Sequence, residues 1–313
     1  MTEGIILLDK PPGLTSFQSL GFLKRCLGTG RVGHAGTLDK FAEGLLIVMV
    51  GRMTRLCPVA TAFDKEYLAA FRFGLGTDTL DPEGTVTCAG PIPSRADLEA
   101  VLPEFRGALS QVPPAYSAIH VDGRRASEAA RKGESVQLQP RAVSIDSLEI
   151  LEYSPPEVSF RISCSKGTYV RSLARDIAAR LETCAHVSRL RRVRIGGFSV
   201  ENARTPEAFD ASRDILAPAA FFAAAPALQR LIVKPEWVAP LSRGIRLSVA
   251  LFQEAPSGEG MFGAFSADDR LLAVIRRSGA GLEYLATFPE PVAAAAGAVP
   301  RAGGEIPTAG RAT

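Results

Sequence analysis

Leu45-Leu46-Ile47-Val48-Met49-Val50 is an unbroken apolar run closed by Gly44 and Gly51. A run this short and this rich in branched side chains fits a strand buried in a core sheet better than a helix. Gly4 to Leu8 reads as a short strand, Tyr67 to Phe73 alternates like a half-buried one, and Val143 to Leu151 with Val158 to Ser165 read as a pair. Pro11, Pro12 and Gly13 force a turn before a helix from Ser16 to about Cys26, and Ser94 caps another to about Leu102. Val170, Leu173, Ala174, Ile177, Ala178 and Leu181 have the spacing of an amphipathic helix, with Arg171 and Arg175 on its polar face. Tyr116 to Val121, ending at Asp122-Gly123, carries a hairpin signal. Residues 28 to 44 read as loop, so Asp39 stands in a loop leading into the core strand.

At 313 residues the chain is long for one compact domain, so two are expected. After the Ala-rich stretch at Phe221 to Ala227, short alternating segments such as Ile245 to Phe252 and Leu271 to Ile275 suggest a small β-rich module, with a boundary between 225 and 235. The expected division is 1–229 for the large domain, 230–287 for the module and 288–313 for a disordered tail, where Ala, Gly and Pro dominate. The formal net charge is only +3. Residues 161 to 200, however, hold nine Lys or Arg (Arg161, Lys166, Arg171, Arg175, Arg180, Arg189, Arg191, Arg192, Arg194) against Asp176 and Glu182, a local +7. That concentration suits a phosphate backbone, although a solvated helix face or an acidic protein partner would look the same.

Five cysteines (Cys26, Cys57, Cys88, Cys164, Cys184) form no C-x-x-C pair and are expected to be reduced and intracellular. There is no signal-like N-terminus and no apolar run of about 18 residues or more, so a cytoplasmic location without membrane contact is expected. Gly28-Thr29-Gly30-Arg31-Val32-Gly33 satisfies G-x-G-x-x-G, but a helix precedes it and a loop follows, the reverse of a dinucleotide-binding turn. H-E-x-x-H, G-x-S-x-G and P-loop motifs are absent, and His34, His120 and His186 lack ligand spacing, which disfavours metal and triad mechanisms.

What remains is Gly33-His34-Ala35-Gly36-Thr37-Leu38-Asp39, followed by Gly44-Leu45-Leu46. This segment resembles the catalytic loop of the TruB family of tRNA pseudouridine synthases. Four further motifs match in family order: Asp9-Lys10-Pro11-Pro12-Gly13-Leu14-Thr15-Ser16, Lys65-Glu66-Tyr67 with Gly74, Gly167-Thr168-Tyr169-Val170-Arg171-Ser172-Leu173, and His186 to Phe198 around Leu190. The likeness covers about the first 200 residues. The family's loop usually has proline after the aspartate and a small hydroxyl residue before the glycine, where this chain has Lys40 and Glu43.

The resemblance implies an α/β (α+β) pseudouridine-synthase fold, a mixed, mainly antiparallel sheet with a central cleft, and a PUA-like C-terminal module. It implies that Asp39 is the catalytic carboxylate, that Arg171 pairs with it, and that Tyr67 stacks on the target uracil and serves as a base at C5. Tyr169 and Leu190 become walls of the base pocket, while His34 packs against RNA. Lys10 is either structural or an RNA contact. Blander readings stand beside these: a turn-capping Asp39, a solvated Arg171, and core packing for Tyr67 and Leu190.

The implied reaction breaks C1′–N1 of uridine 55 in the tRNA T-loop and rebuilds the link to C5. Asp39 would assist by attacking C1′ or by taking a C2′ proton, without cofactor or metal. The implied partner is the T-arm of tRNA, with no guide RNA or obligate protein. The alternatives are a non-catalytic RNA-binding or tRNA-folding protein of the same family, or a synthase acting on ribosomal RNA.

Overall fold

A computed structural model describes residues 2–117, 119–121, 124–132, 137–225, 228–279 and 281–292. The chain divides into two compact units, one holding Ile6–Phe209 and the other running from Asp210 onward together with Glu3–Ile5. The division falls at Phe209, ahead of the 229/230 boundary drawn from composition.

Among the described residues, the large mixed sheet has the order Gly4–Lys10 (in the first unit from Ile6), Glu43–Val50, Ala185–Ile195, Lys65–Phe73, Glu157–Cys164, Arg141–Ser154, Gly107–Gln111. Its central pairings, Ala185–Ile195 with Lys65–Phe73 and Lys65–Phe73 with Glu157–Cys164, are antiparallel, while Ala185–Ile195 runs parallel to Glu43–Val50. The apolar run at 45–50 is buried throughout, as a strand without a solvent face must be. On Lys65–Phe73 the buried positions include Tyr67, Ala69, Phe71 and Phe73, one side of the pleat. The helix Val170–Arg180 buries Val170, Leu173, Ala174, Ile177 and Ala178 in one core with Phe71, Phe160 and Ile162. Each of the larger of these side chains (Val, Leu, Ile, Phe) contributes roughly 1.5–3 kcal/mol through burial.

The expected loop at 28–44 is interrupted by a strand. Val32–Ala35 pairs antiparallel with Glu43–Val50, matching Gly33 with Met49 and Ala35 with Ile47. Two of its four residues are small, so no alternation betrays it; its register comes from the neighbouring strand. Asp39 therefore lies in the connection between two paired strands. Gly44 lets that connection close: at φ +104 it lies so near Ala185–Ile195 that a Cβ would overlap the Arg192 carbonyl.

Three other expectations need correction. Cys88 and Cys184 are joined by a disulfide with Cα atoms 6.3 Å apart, leaving Cys26, Cys57 and Cys164 free. The bridge ties the hairpin Leu75–Thr77/Val86–Ala89 to the segment after the 170–180 helix, and a 96-residue separation gives no sequence signal for it. The alternating stretch 245–252 is no strand but irregular chain with a 3-10 turn at Val249–Leu251. Of the expected tail, 288–292 belongs to the strand Gly281–Val292, and 293–313 lies outside the described residues. In the 116–121 region, His120–Val121 pairs with Arg124–Arg125 across residues 122–123, which also lie outside the described residues.

The second unit holds a four-stranded sheet in the order Leu228–Ile232, Gly260–Phe265, Leu271–Ser278, Gly281–Val292 among its described residues. Leu231, Val233, Leu241, Phe252, Phe262 and Ile275 form its core. No helix among the described residues is long and apolar enough to cross a membrane.

Candidate active site

The connection at 36–42 is fastened from several directions. The Ser16 hydroxyl accepts from Leu38 N–H (2.8 Å) and donates to Leu38 O (3.1 Å), while Gly13 N–H donates to Lys40 O (2.8 Å). Lys10 is completely buried, and its Nζ donates to Leu14 O (2.7 Å), Pro11 O (2.9 Å) and Lys40 O (3.5 Å). Burial pushes the Lys10 ammonium down to about 8, opposed by the nearby Asp39. From the sheet side, Arg192 Nη2 donates to Gly36 O (3.0 Å) and Nε to Leu45 O (2.8 Å). Two buried cations thus grip the carbonyls on either side of Asp39 and hold its backbone still.

Arg171, one residue into its helix, is only 3% exposed. The polar face that a helical wheel assigns to solvent is covered here. Its Nη2 donates to Asp39 Oδ1 (3.0 Å) and its Nε lies 2.9 Å from Oδ2 as an ion-pair contact. Nη1 donates to Asp81 Oδ2 (3.2 Å) and Thr79 O (2.8 Å), and Nη2 also to Tyr116 O (2.9 Å). One guanidinium therefore bridges two carboxylates, a task that suits its planar fork. Burial raises the Asp39 carboxyl above the ordinary carboxylate range, and Arg171 opposes that rise. Asp81 is buried and accepts from Thr79 Oγ1 (2.5 Å) and Glu83 N–H (3.1 Å), beside Leu80 at φ +61. A leucine in that left-handed conformation costs of order 1–3 kcal/mol and persists only where its surroundings impose it.

A cavity of about 260 Å³ opens in front of this clamp, lined by Asp39, Tyr67, Tyr169, Arg171 and Leu190 with Lys65, Arg192 and Ser117 among others. Tyr67 stands opposite Arg192 in the sheet. Burial raises the Tyr67 phenol, with Arg192 opposing. Tyr169 caps the 170–180 helix; its N–H donates to Gln111 Oε1 (2.8 Å) and its carbonyl accepts from Gln111 Nε2 (3.2 Å). Burial raises its phenol as well. Lys65, lowered to about 8 by burial, donates to Thr61 O (2.6 Å) and Phe63 O (2.5 Å).

Lys10 and His34 do not line the cavity: Lys10 lies beneath the loop, and His34 sits half-buried on the strand Val32–Ala35. Burial lowers the His34 imidazole, with Arg192 acting in the same direction. Sequence reasoning missed Asp81, Arg192 and Lys65 as parts of the site. The turn-rich run Asp78-Thr79-Leu80-Asp81-Pro82-Glu83-Gly84 was the available hint for the first. Among the described residues, no group of three or more His, Cys, Asp or Glu side chains is placed to hold a metal.

The basic stretch 161–200 is mostly spoken for within the fold. Arg161 and Arg194 pair with Glu66, Arg180 with Glu104, Arg189 with Glu157, and Arg191 with Asp9 and Glu43. Arg171 and Arg192 are buried. The local +7 therefore overstates the bare positive surface available to a phosphate backbone. The two departures in the loop are also paired, Lys40 with Glu83 (2.8 Å) and Glu43 with Arg191 (3.4 Å).

Residues 24–170 match the model of the TruB family pseudouridylate synthase, N terminal domain. The tRNA pseudouridine synthase B of Borreliella burgdorferi (strain ZS7) is 45% identical over 205 residues, covering 64% of this chain and 73% of that protein. The tRNA pseudouridine synthase B of Caldanaerobacter subterraneus subsp. tengcongensis is 41% identical over 208 residues, covering 66% and 73%. Among solved structures, a Cbf5-Nop10-Gar1 complex superposes with a TM-score of 0.67 over 91% of this chain and 85% of that one, at 24% identity. The fold is that of the pseudouridine synthases, a mixed α/β domain with a mainly antiparallel sheet. With close to half of its aligned residues identical to a relative covered over nearly three quarters of its length, the chain belongs to the TruB family of pseudouridylate synthases.

Proposed function

We propose that this enzyme isomerises uridine 55 in the T-loop of tRNA to pseudouridine, with Asp39 as the acting carboxylate. The observation that carries the reading is a carboxylate clamped by a buried arginine and opening into a cavity walled by Tyr67, Tyr169 and Leu190. The tRNA substrate is supported by the relatives named tRNA pseudouridine synthase B.

The target nucleotide leaves its stack and its uracil stacks against Tyr67, with Tyr169 and Leu190 completing the walls. Stacking on an aromatic ring is worth roughly 1–3 kcal/mol, comparable to the few kcal/mol that base flipping costs. Ionised Asp39 assists departure of N1 from C1′, by attack on C1′ or by removal of a C2′ proton. The uracil turns in the pocket, C1′ bonds to C5 as the Asp39 ester is displaced or the proton taken by Asp39 returns to C2′, the C5 proton leaves and N1 gains one. The product is an isomer, so no redox partner or group donor enters. Burial keeps the Tyr67 phenol protonated, which favours stacking as its role over proton removal as a phenolate. Lys10 acts from beneath by holding the loop.

The second unit is read as a PUA-like contact for the tRNA stem, so removing it raises KM more than it lowers kcat. Naked tRNA is the expected substrate, without guide RNA or protein helper. A transcript tritiated at uridine C5 tests the reading, because each turnover releases one tritium to water. Wild-type enzyme should release it, while Asp39→Asn should bind the transcript and release none. Appreciable release by a pure Asp39→Asn preparation would sink the assignment.

A further inference from the structure

The helix Ser16–Cys26 carries a feature that the reaction above leaves unused. Phe17 is 69% exposed, although burying such a ring is among the more favourable things a side chain can do. Leu14, just before the helix, is exposed as well. Positions 17, 21, 24 and 25 share one helical face, occupied by Phe17, Gly21, Lys24 and Arg25. Lys24 Nζ lies 4.8 Å from the centre of the Phe17 ring. A Cβ on Gly21 would lie 3.7 Å from an Arg25 Nη atom, so the glycine leaves a shallow gap between the ring and the cations. The helix contains no acidic residue.

This face is rigidly coupled to the active-site loop. Thr15 and Gln18 form a capping box that fixes the helix start on either side of Phe17. Ser16, its immediate neighbour, holds Leu38 by two hydrogen bonds, and Leu38 adjoins Asp39. A ligand seated on Phe17 is therefore held in register with the carboxylate.

We propose that Phe17, Gly21, Lys24 and Arg25 form a second contact site for the RNA substrate, with Phe17 stacking an unpaired nucleobase outside the pocket and the two cations taking the adjoining phosphate. An exposed aromatic surface beside two cations on a helix without acidic residues matches a single-stranded nucleotide in both shape and sign. On binding, the Lys24 ammonium moves from the ring to the phosphate, and the bare Gly21 gives the ribose room to cross the helix. The proposal rests on RNA being the substrate.

The test uses full-length protein and an unmodified tRNA transcript. Phe17→Ala should raise KM and the dissociation constant about tenfold, the size of one lost stacking contact, with the loss confined to KM and the melting temperature unmoved. Phe17→Trp, made together with Trp237→Phe and Asp39→Asn, should bind like its Phe17 parent, with its indole fluorescence quenched by the transcript. Wild-type RNA affinity in Phe17→Ala, or an indole signal indifferent to RNA, overturns the site while Asp39-dependent turnover persists; the face would then suit a protein partner. Absence of any pseudouridine from the wild-type enzyme overturns the RNA reading, and this site with it.

Discussion

Replacing Arg171 by Met removes the guanidinium that bridges Asp39 and Asp81 while keeping an unbranched apolar stem. Three consequences follow from the geometry. Asp81, whose side chain is 7% exposed, loses its cation, and the carbonyls of Thr79 and Tyr116 lose donors at 2.8 and 2.9 Å. Leaving one member of a buried ion pair uncompensated costs about 3–5 kcal/mol. Asp81→Asn in the same chain removes the stranded charge yet can still accept from Thr79 Oγ1 and Glu83 N–H, so the double variant should regain part of that loss. Urea unfolding followed by circular dichroism gives all the free energies needed. Arg171→Lys addresses chemistry instead: it keeps the charge, but its three donors cannot serve every acceptor that the fork reaches. The rate needs the Asp39 carboxylate, so activity is present above the Asp39 pKa and is lost as pH falls through it. Burial raises that pKa and Arg171 opposes the rise, so weaker pairing should move the acid limb of the single-turnover rate to higher pH. An Arg171→Met protein within about 1 kcal/mol of wild type, or an Arg171→Lys acid limb superimposed on that of wild type, would refute the clamp.

The remaining expectations concern the parts that hold the site. Gly44→Ala should lower stability by more than about 2 kcal/mol, because a Cβ there overlaps backbone and the φ is unsuited to alanine; a melting curve unchanged from wild type contradicts the close approach to Arg192. Lys10 is lowered from 10.5 to about 8, so the unfolded chain holds its proton over that window and the folded one does not. Stability from this group is thus full above 10.5, and is lost as pH falls through about 8. The wild-type urea midpoint minus that of Lys10→Met should climb with pH between those values, a difference in which the opposing pull of the Cys57 and Cys164 thiols, pushed up by burial, cancels; parallel curves would be inconsistent with a buried charged Lys10. Thiol titration of denatured, unreduced protein should count three free cysteines per chain, and a count of five would mean that Cys88 and Cys184 are not bridged.

Elements whose own side chains dictate their environment were legible in the sequence. The run 45–50 announces a buried strand because nothing in it tolerates water. The 170–181 stripe announces a helix because its apolar positions recur at the helical period. The loop 36–42 was legible through its resemblance to a family motif rather than through any periodicity. What escaped depends on partners distant in sequence. The strand Val32–Ala35 takes its register from Glu43–Val50 and has too few large side chains to show a pattern of its own. The helical period alone leaves Arg171 on a polar face, because a wheel shows which face is apolar and not what covers the other; only the resemblance paired it with Asp39, and its second carboxylate, Asp81, lies ninety residues away. Arg192 and Lys65 are buried cations satisfied by backbone carbonyls, an arrangement that leaves no trace in composition. The basic stretch overstates its free charge for the same reason, since most of its acidic partners (Glu66, Glu104, Asp9) lie far from it in the chain.

The central claim is that one carboxylate, Asp39, isomerises one uridine of tRNA. Incubating the purified protein and its Asp39→Asn variant with an unmodified tRNA transcript, then mapping pseudouridine nucleotide by nucleotide, tests it most directly. Pseudouridine at position 55 from the wild-type protein, and none from the variant, is the expected result. Product at another position would contradict the substrate reading, and product from the variant, or tight binding without product from the wild type, would contradict the chemistry.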